Sequence, residues 1–535
     1  MKRLLLLGDE AIAQAAIDAG LSGMYAYPGT PSTEIMEYIQ ASVTAAERKI
    51  HREWSANEKT AMEATLGMSY TGKRAMVAMK HVGLNVASDS FINSAMTGVN
   101  GGLIVVSADD PSMHSSQNEQ DSRFYGKFAF IPCFEPSNQQ EAYDMVFDAF
   151  ELSEKYKLPV LMRITTRLAH SRASVEQVKY PVPEKELHLP ADPIQFVLLP
   201  ALARKKYKTL LSAYESIRYD IRISKYNSFR DGSRRELGII TCGIAYNYLL
   251  ENLSDTKIDF PVLKICAYPF PADMVKEIVN RCGEILILEE GYPLIEEGIR
   301  GILDSGIKVL GRLDGTVPRD GELNPSIVAK ALGMNVSKGS NVPDIVKMRP
   351  PSFCNGCGHS DTFNALIDAI KPFGPGRVFS DIGCYTLGAL PPYNSINSCV
   401  DMGASVTMAI GAADGGLFPS VAVIGDSTFT HSGMTGLLDA VCKNSPVTII
   451  ISDNLTTGMT GGQKSAGTGR LEKICAGLGV EPEHIRTITP LRKNHEDNVR
   501  IMKEEFEYRG VSVIVSSREC IQTAARRKKA EASNE

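Results

Sequence analysis

Short apolar runs recur along the chain, most of them closing on glycine or on an acidic or amide residue, and stretches with helical spacing separate them. Runs without polar alternation are the mark of strands covered on both faces, and their alternation with helices predicts mostly parallel α/β sheets. In the first 175 residues MYAYP (24–28), RAMVAMK (74–80), GGLIVVSADDP (101–111) and LPVLMRI (158–164) read as strands, and 57–70 and 138–155 as helices. Residues 176–235 are less regular, with prolines near 181–200 and a charged, helical insertion around 203–230. A second α/β unit spans 236–335, with strands in ELGIIT, PVLKIC and EILILEE. Residues 336–351 read as a linker. A third unit spans 352–522, with strands RVFSDIG (377–383), SVAVIGD (420–426), VTIIISDN (447–454) and VSVIVSS (511–517). Residues 523–535 read as a solvated tail. The expected fold class is α/β, with three doubly wound parallel-sheet units, the first and third reading as two copies of one design. No short-period repeat is present.

Composition narrows the setting. The 535 residues suffice for about three or four domains of ordinary size. A hydrophobic share of 43% and a charged share of 22% fit a globular chain with several cores. The net charge of −5 argues against a broad polyanion-binding surface, so no nucleic-acid partner is expected. The opening MKRLLLLGDE holds only four leucines before polar residues, too few for the roughly 7–15 apolar residues of a signal peptide. No run reaches the ~18 apolar residues of a membrane span, and a cytoplasmic location is expected. Eleven cysteines in that setting do not read as a disulfide framework. Cys133, Cys242, Cys266, Cys282, Cys399, Cys442 and Cys475 read as small buried hydrophobes. Cys354 and Cys357 form a CxxC.

The most informative chemistry lies in Gly425-Asp426-Ser427 and Asn454. Each sits at the carboxyl end of an expected strand, and a right-handed βαβ crossover brings such ends together, where ligands bind. Asp426, Asn454 and the nearby Thr456 carbonyl can converge on one Mg²⁺, leaving positions for phosphate oxygens and water. Gly425 would let the backbone approach a diphosphate, and Ser427 offers a hydroxyl and an amide. The 26 residues from Thr428 through Asp453 match the spacing of the thiamine diphosphate motif. A P-loop at GMTGGQKS (458–465) is excluded, because Gln463 stands where glycine must precede the lysine. Thiamine chemistry also needs a carboxyl group beside the aminopyrimidine, and burial suits it to sharing a proton. Glu58, opening a helix with small residues Ala61, Ala64 and Gly67, is the candidate; a carboxylate merely facing the helix dipole is the alternative.

A wider set of residues carries a resemblance: Tyr27-Pro28-Gly29-Thr30-Pro31-Ser32-Thr33-Glu34, Asn57-Glu58-Lys59, Met79-Lys80-His81-Val82-Gly83-Leu84-Asn85, Ala108-Asp109-Asp110-Pro111 and Ser115 through Arg123, together with the thiamine motif. As a set these resemble the large subunit of indolepyruvate ferredoxin oxidoreductase, across most of residues 1–520. The resemblance implies a thiamine-diphosphate-binding fold: a pyrimidine-binding unit (1–175), a transketolase C-terminal-like unit (236–335) and a diphosphate-binding unit (352–522). It implies that an aryl-pyruvate, CoA and oxidised ferredoxin give aryl-acetyl-CoA, CO₂ and reduced ferredoxin. On this chain it makes Glu58 the activating residue and gives cofactor binding to Glu58, Gly383, Gly425, Asp426, Ser427 and Asn454. Mg²⁺ falls to Asp426, Asn454 and Thr456. Thr30, in the Pro28-Gly29-Thr30 turn, would donate to the substrate carboxylate, the alternative being a turn hydroxyl. Arg123 would pair with a substrate carboxylate or CoA phosphate, the alternative being a surface ion pair.

The CxxC by itself reads equally as half a zinc site or a redox pair. Related 2-oxoacid ferredoxin oxidoreductases hold a [4Fe–4S] cluster in this unit, and the matching residues here are Cys354, Cys357, Cys384 and Cys520. Large subunits of the family often continue into a ferredoxin-like domain with repeated CxxCxxCxxxCP. No such repeat occurs in these residues, so electrons would pass from the cluster straight to a carrier or through another subunit. A smaller companion (beta) subunit and a heterotetramer are implied. Two other readings are a non-oxidative thiamine decarboxylase, which needs neither iron nor CoA, and a catalytically silent scaffold subunit.

Overall fold

The buried apolar runs form the central strands of three sheets. A computed structural model describes residues 2–190, 192, 195–254, 259–300, 307–318, 320–336, 339, 341–347, 351–399, 401–414 and 416–534, so the expected linker lies partly outside the described residues. The chain divides into two compact units, Met1–Ser340 and Asn341–Glu535. No helix among the described residues is long and apolar enough to cross a membrane.

In the first unit the strands are β1 (Arg3–Leu7), β2 (Gly23–Ala26), β3 (His51–Trp54), β4 (Ala75–Lys80), β5 (Leu103–Asp109), β6 (Cys133–Phe134), β7 (Val160–Thr165) and β8 (Arg172–Glu176). They are followed by β9 (Ser228–Arg230), β10 (Leu237–Cys242), β11 (Val262–Ile265), β12 (Ala267–Tyr268), β13 (Glu284–Leu288) and β14 (Lys308–Leu310). The larger sheet runs β12-β6-β7-β5-β4-β2-β3, and the smaller runs β14-β13-β10-β11-β9. Every residue of β4, β5 and β7 is buried, as a strand covered by helices on both faces requires. β1 and β8 form a separate antiparallel ribbon.

The two sheets share a segment. Cys266 alone separates β11, in the smaller sheet, from β12, which pairs antiparallel with β6 of the larger one. Asn227 satisfies the backbone at this crossing: its Oδ1 accepts from the Cys266 and Ala267 amides at 2.9 and 3.0 Å, and its Nδ2 donates to the Ala267 carbonyl at 3.0 Å. The charged insertion forms the helix Pro200–Arg222, which buries Leu210, Ile217 and Ile221 on one stripe.

The second unit contains β15 (Val378–Ser380), β16 (Ser398–Cys399), β17 (Ser420–Gly425), β18 (Val447–Asp453), β19 (Thr456–Thr457), β20 (Gln463–Lys464), β21 (Ile485–Ile488) and β22 (Ser512–Ser517). Its main sheet is parallel, in the order β16-β15-β17-β18-β22-β21, and β19–β20 is a small hairpin. Strand period two splits the apolar side chains between two cores. Ala422, Ile424, Ile449, Ile451, Val513 and Val515 join Phe429 and Leu437 on one face. Val421, Val423, Ile450 and Ile514 join Phe363, Leu366, Met502 and Phe506 on the other. Burying each such valine or isoleucine stabilises the fold by roughly 1.5–3 kcal/mol.

Several expectations need correction. Gly425-Asp426-Ser427, which reads in sequence as the turn closing its strand, instead starts a helix: Asp426–Thr428 is already helical and runs through a π-turn, Phe429–Gly433, into Met434–Lys443. The solvated tail expected beyond 522 is helical, within the helix Ile521–Asn534, and mostly exposed as expected. Cys399 and Cys442 are exposed, whereas Cys133, Cys242, Cys266, Cys282 and Cys475 are buried.

Candidate active site

In the second unit, sheet order decides which loops meet. β15, β17, β18 and β22 are consecutive neighbours, so their carboxyl ends deliver Cys384, Asp426, Asn454 and Cys520 to one edge. Gly425 pairs with Ser452 in register, so Asp426 and Asp453 leave adjacent strand ends. Asp426 is buried, and burial, with Asp453 beside it, pushes its carboxyl up to about 7. Its Oδ2 has no hydrogen-bond partner among the described residues. A buried carboxylate oxygen without a donor, next to a second carboxylate, is a position that a divalent cation satisfies. Asp426 also opens a helix, whose first amides have no partner within the helix and point at whatever anion lies beyond it.

The chain bends sharply after β18. Leu455 has φ +63°, a left-handed conformation that a branched residue rarely holds, and it separates Asn454 from Thr456. Asn454 Oδ1 accepts from the Thr456 amide at 3.1 Å, and Asp453 Oδ1 accepts from the Leu455 amide at 3.1 Å. Thr456 Oγ1 donates to the Gln463 carbonyl at 2.9 Å, tying this turn to the β19–β20 hairpin. Ser427 Oγ lies 2.9 Å from Thr457 Oγ1. His359, which the sequence reading left without a role, is buried, and burial pushes it down to about 4, so the imidazole is neutral. Its Nε2 can accept from Asn454 Nδ2, 3.3 Å away, which fixes the amide's orientation.

Gly383 and Gly425 have a reason that the sequence did not show. A Cβ on either would fall 2.3 or 2.6 Å from Tyr385 Cε1. Their missing side chains therefore make room for the Tyr385 ring. Tyr385 is buried and hydrogen-bonds Asp381, whose Oδ2 accepts from Ser405 Oγ at 2.6 Å.

The four candidate cysteines come together. Cys354, Cys357, Cys384 and Cys520 all line a cavity of ≈ 90 Å³ together with Asn454, Asp453 and His359. Cys354 and Cys357 flank a tight turn in which the Cys357 amide donates to the Cys354 carbonyl at 3.0 Å. Gly356 within it has φ +79°, which favours glycine. Cys357 then caps the helix Gly358–Ile370. The Cys520 amide donates to the Asn454 carbonyl at 3.1 Å, coupling the cysteine edge to the Asn454 turn. Burial, and then the thiolates of Cys357, Cys520 and Cys354, push the Cys384 thiol up to about 12.

In the first unit, the segments that follow the neighbouring strands β2, β3 and β4 carry the remaining candidates. Glu58 is buried as the first residue of the helix Glu58–Tyr70, behind Asn57, whose Oδ1 accepts from the Thr60 amide at 2.8 Å. A Cβ on Gly83 would fall 2.6 Å from both Glu58 Cγ and Oε1, so only glycine admits this carboxylate. Thr30 is half-buried, and its carbonyl accepts from Ser115 Oγ at 3.3 Å. Lys80, also without a role in the sequence reading, packs under Gly29 of the same turn and donates to the Ser115 carbonyl at 2.7 Å. Burial pushes its ammonium down to about 8.

Arg123 does not join this group, and the expected substrate contact is corrected. It is fully buried, donating to Asp121 at 2.5–3.1 Å and to the Tyr292 carbonyl at 2.9 Å, with Glu289 at 3.2 Å. A guanidinium closed in by these partners and by Tyr268 cannot reach a ligand.

Comparison with known proteins gives the family. Residues 14–204 match the family described as "Pyruvate flavodoxin/ferredoxin oxidoreductase, thiamine diP-bdg". Residues 381–515 match "Thiamine pyrophosphate enzyme, C-terminal TPP binding domain". The indolepyruvate oxidoreductase subunit IorA of Methanothermobacter thermautotrophicus is 39% identical over 97% of this chain and 87% of its own length. That of Archaeoglobus fulgidus is 39% identical over 97% of this chain and 86% of its own length. A solved 2-oxoglutarate:ferredoxin oxidoreductase from Magnetococcus marinus shares the fold, with a TM-score of 0.51 and 16% identity over 62% of this chain and 65% of that one. With both thiamine-binding regions matched and relatives aligned over nearly its whole length, the chain belongs to the family of indolepyruvate oxidoreductase subunit IorA, thiamine-dependent oxidoreductases of 2-oxo acids.

Proposed function

We propose that this chain catalyses the oxidative decarboxylation of aryl-pyruvates, indolepyruvate and phenylpyruvate among them, forming aryl-acetyl-CoA and CO₂ and passing electrons through a [4Fe–4S] cluster to ferredoxin. A smaller companion subunit completes a heterotetramer, in the cytoplasm. The observation that carries this reading is that Cys354, Cys357, Cys384 and Cys520 line the same cavity as Asn454. An electron acceptor there would adjoin the diphosphate-binding edge. The names of the relatives, indolepyruvate oxidoreductase subunits, support the substrate class.

When bound, thiamine diphosphate supplies the centre that stabilises the electron pair left by decarboxylation, and the iron–sulfur cluster supplies one-electron acceptance. Asp426, Asn454 and the Thr456 carbonyl would hold Mg²⁺, a role that the partnerless Asp426 Oδ2 fits. Ser427 and the first amides of its helix would bind the diphosphate. Glu58 would be the activating carboxyl group beside the aminopyrimidine, seated in the room that Gly83 leaves. Thr30 would donate to the substrate carboxylate. Cys354, Cys357, Cys384 and Cys520 would hold the cluster.

A Glu58→Gln variant tests the central role. Anaerobic enzyme with its companion subunit should reduce viologen dependent on CoA and indolepyruvate, and Glu58→Gln should lose at least 100-fold in kcat, the scale of a lost acid–base group. Calorimetry should show thiamine diphosphate still bound. Turnover surviving in Glu58→Gln would refute the assignment.

A further inference from the structure

We propose that Asp9, Glu34 and His170 bind one divalent transition-metal cation of the Zn²⁺ or Mn²⁺ class, at a site separate from every residue assigned above. The three come from three elements of the first unit. Asp9 lies in the first turn of the helix Gly8–Asp18, Glu34 in the first turn of the helix Thr33–Ala41, and His170 ends the helix Thr166–His170. One ligand atom from each lies within 4.8 Å of the other two. His170 Nε2 is 3.4 Å from Glu34 Oε1.

The second observation is Asp9 itself. Its side chain is 0% exposed, and neither carboxylate oxygen has a hydrogen-bond donor among the described residues. Glu34 Oε2 is likewise buried without a donor. Two carboxylates in contact repel each other unless a proton or a cation lies between them. The surroundings add negative charge: Glu10 acts on Asp9 and Asp110 on His170, while Arg172 stays 3.9 Å from Glu10. A shared proton would satisfy one contact, Asp9 to Glu34. A cation would satisfy the oxygens of both acids and also take the imidazole lone pair.

The donor set selects the metal class. Mg²⁺ and Ca²⁺ favour shells made wholly of oxygen, whereas one imidazole with two carboxylates suits Zn²⁺ or Mn²⁺. Asp9 closes the site on the inner side, and the side chains of Glu34 and His170, each 34% exposed, leave an entry path and room for water ligands. Glu34 lies four residues after Thr30, so a bound ion would anchor the segment carrying the Pro28-Gly29-Thr30 turn.

Full-length protein, purified without oxygen with its cysteines loaded, is treated with EDTA and then equilibrated with Zn²⁺. Zinc retained after gel filtration is measured by plasma mass spectrometry, and Mn²⁺ by electron paramagnetic resonance. Wild type should retain one equivalent more than Glu34→Gln or His170→Ala, and Zn²⁺ should raise its Tm but not theirs. Asp9→Asn is the deciding variant, because its amide donates to Glu34 as a protonated aspartate would. Loss of the zinc equivalent and of the Zn²⁺-induced rise in Tm in Asp9→Asn supports the site. Equal metal content in wild type and all variants, with Asp9→Asn melting as wild type, means a proton-sharing pair and overturns it. Should Asp9→Asn fail to fold, His170→Ala, altered on the exposed side, decides alone: zinc lost supports the proposal, and zinc retained refutes it.

Discussion

Glu58 shows how one residue's chemistry depends on another's absence of a side chain. Sequence reading could place Glu58 at a helix start and Gly83 in a nearby motif, but not that Gly83 exists to admit Glu58. Gly83→Ala should therefore lower turnover tenfold or more while leaving cofactor binding to the second unit's residues intact. Unchanged kcat in that variant would show that the carboxylate has another resting place. Arg123 shows the opposite failure. The family resemblance made it a partner for a substrate carboxylate or CoA phosphate, but Glu135, Tyr268 and Glu289 reach it from other segments, and no local pattern reports that. Lys80 was visible only as a motif letter, and its burial comes from the tertiary fold. Below pH 8 the folded and unfolded chains both carry its charge, so the folded state bears the full desolvation cost. Between about pH 8 and the ordinary 10.5 the folded lysine gives up its proton first, and that cost is relieved. The stability of wild type relative to Lys80→Met should rise across this window in urea denaturation, and a flat difference would contradict the burial argument.

At the scale of elements, legibility followed length and burial. β4, β5, β7, β17, β18 and β22 were readable because strands covered on both faces are written as uninterrupted apolar runs. β6 and β12 were not, because two-residue strands have no periodicity and are defined only by their pairing, β12 with β6 and β6 with β7. The helical start at Asp426 was hidden because a glycine, an aspartate and a serine read locally as a turn. The two-core division of the second unit predicts where substitution is felt. Ile450 faces one core and its neighbours Ile449 and Ile451 face the other. Ile450→Ala should destabilise that unit by about 2–5 kcal/mol, read as a lower denaturation midpoint with little change at the cofactor edge. A loss below about 0.5 kcal/mol would mean that this face is not packed as described.

For the whole molecule, the reaction class was legible in the spacing of Gly425-Asp426 to Asn454 and in the family resemblance. The physical reason for that spacing is the strand–helix–strand unit that sets two neighbouring carboxyl ends side by side. The cysteine edge was legible only through resemblance, since the intervals 354, 357, 384 and 520 mean nothing until a parallel sheet gathers their loops. What separates an oxidoreductase from a plain decarboxylase is therefore whether this edge holds iron and sulfide. The direct measurement is iron, zinc and acid-labile sulfide per chain on protein purified without oxygen, alongside Cys384→Ser and the exposed control Cys442→Ser. The account predicts about four irons and four sulfides, as a single cubane requires, lost in Cys384→Ser and kept in Cys442→Ser. Zinc without sulfide, or neither metal in protein that still binds Mg²⁺ and thiamine diphosphate, would contradict it.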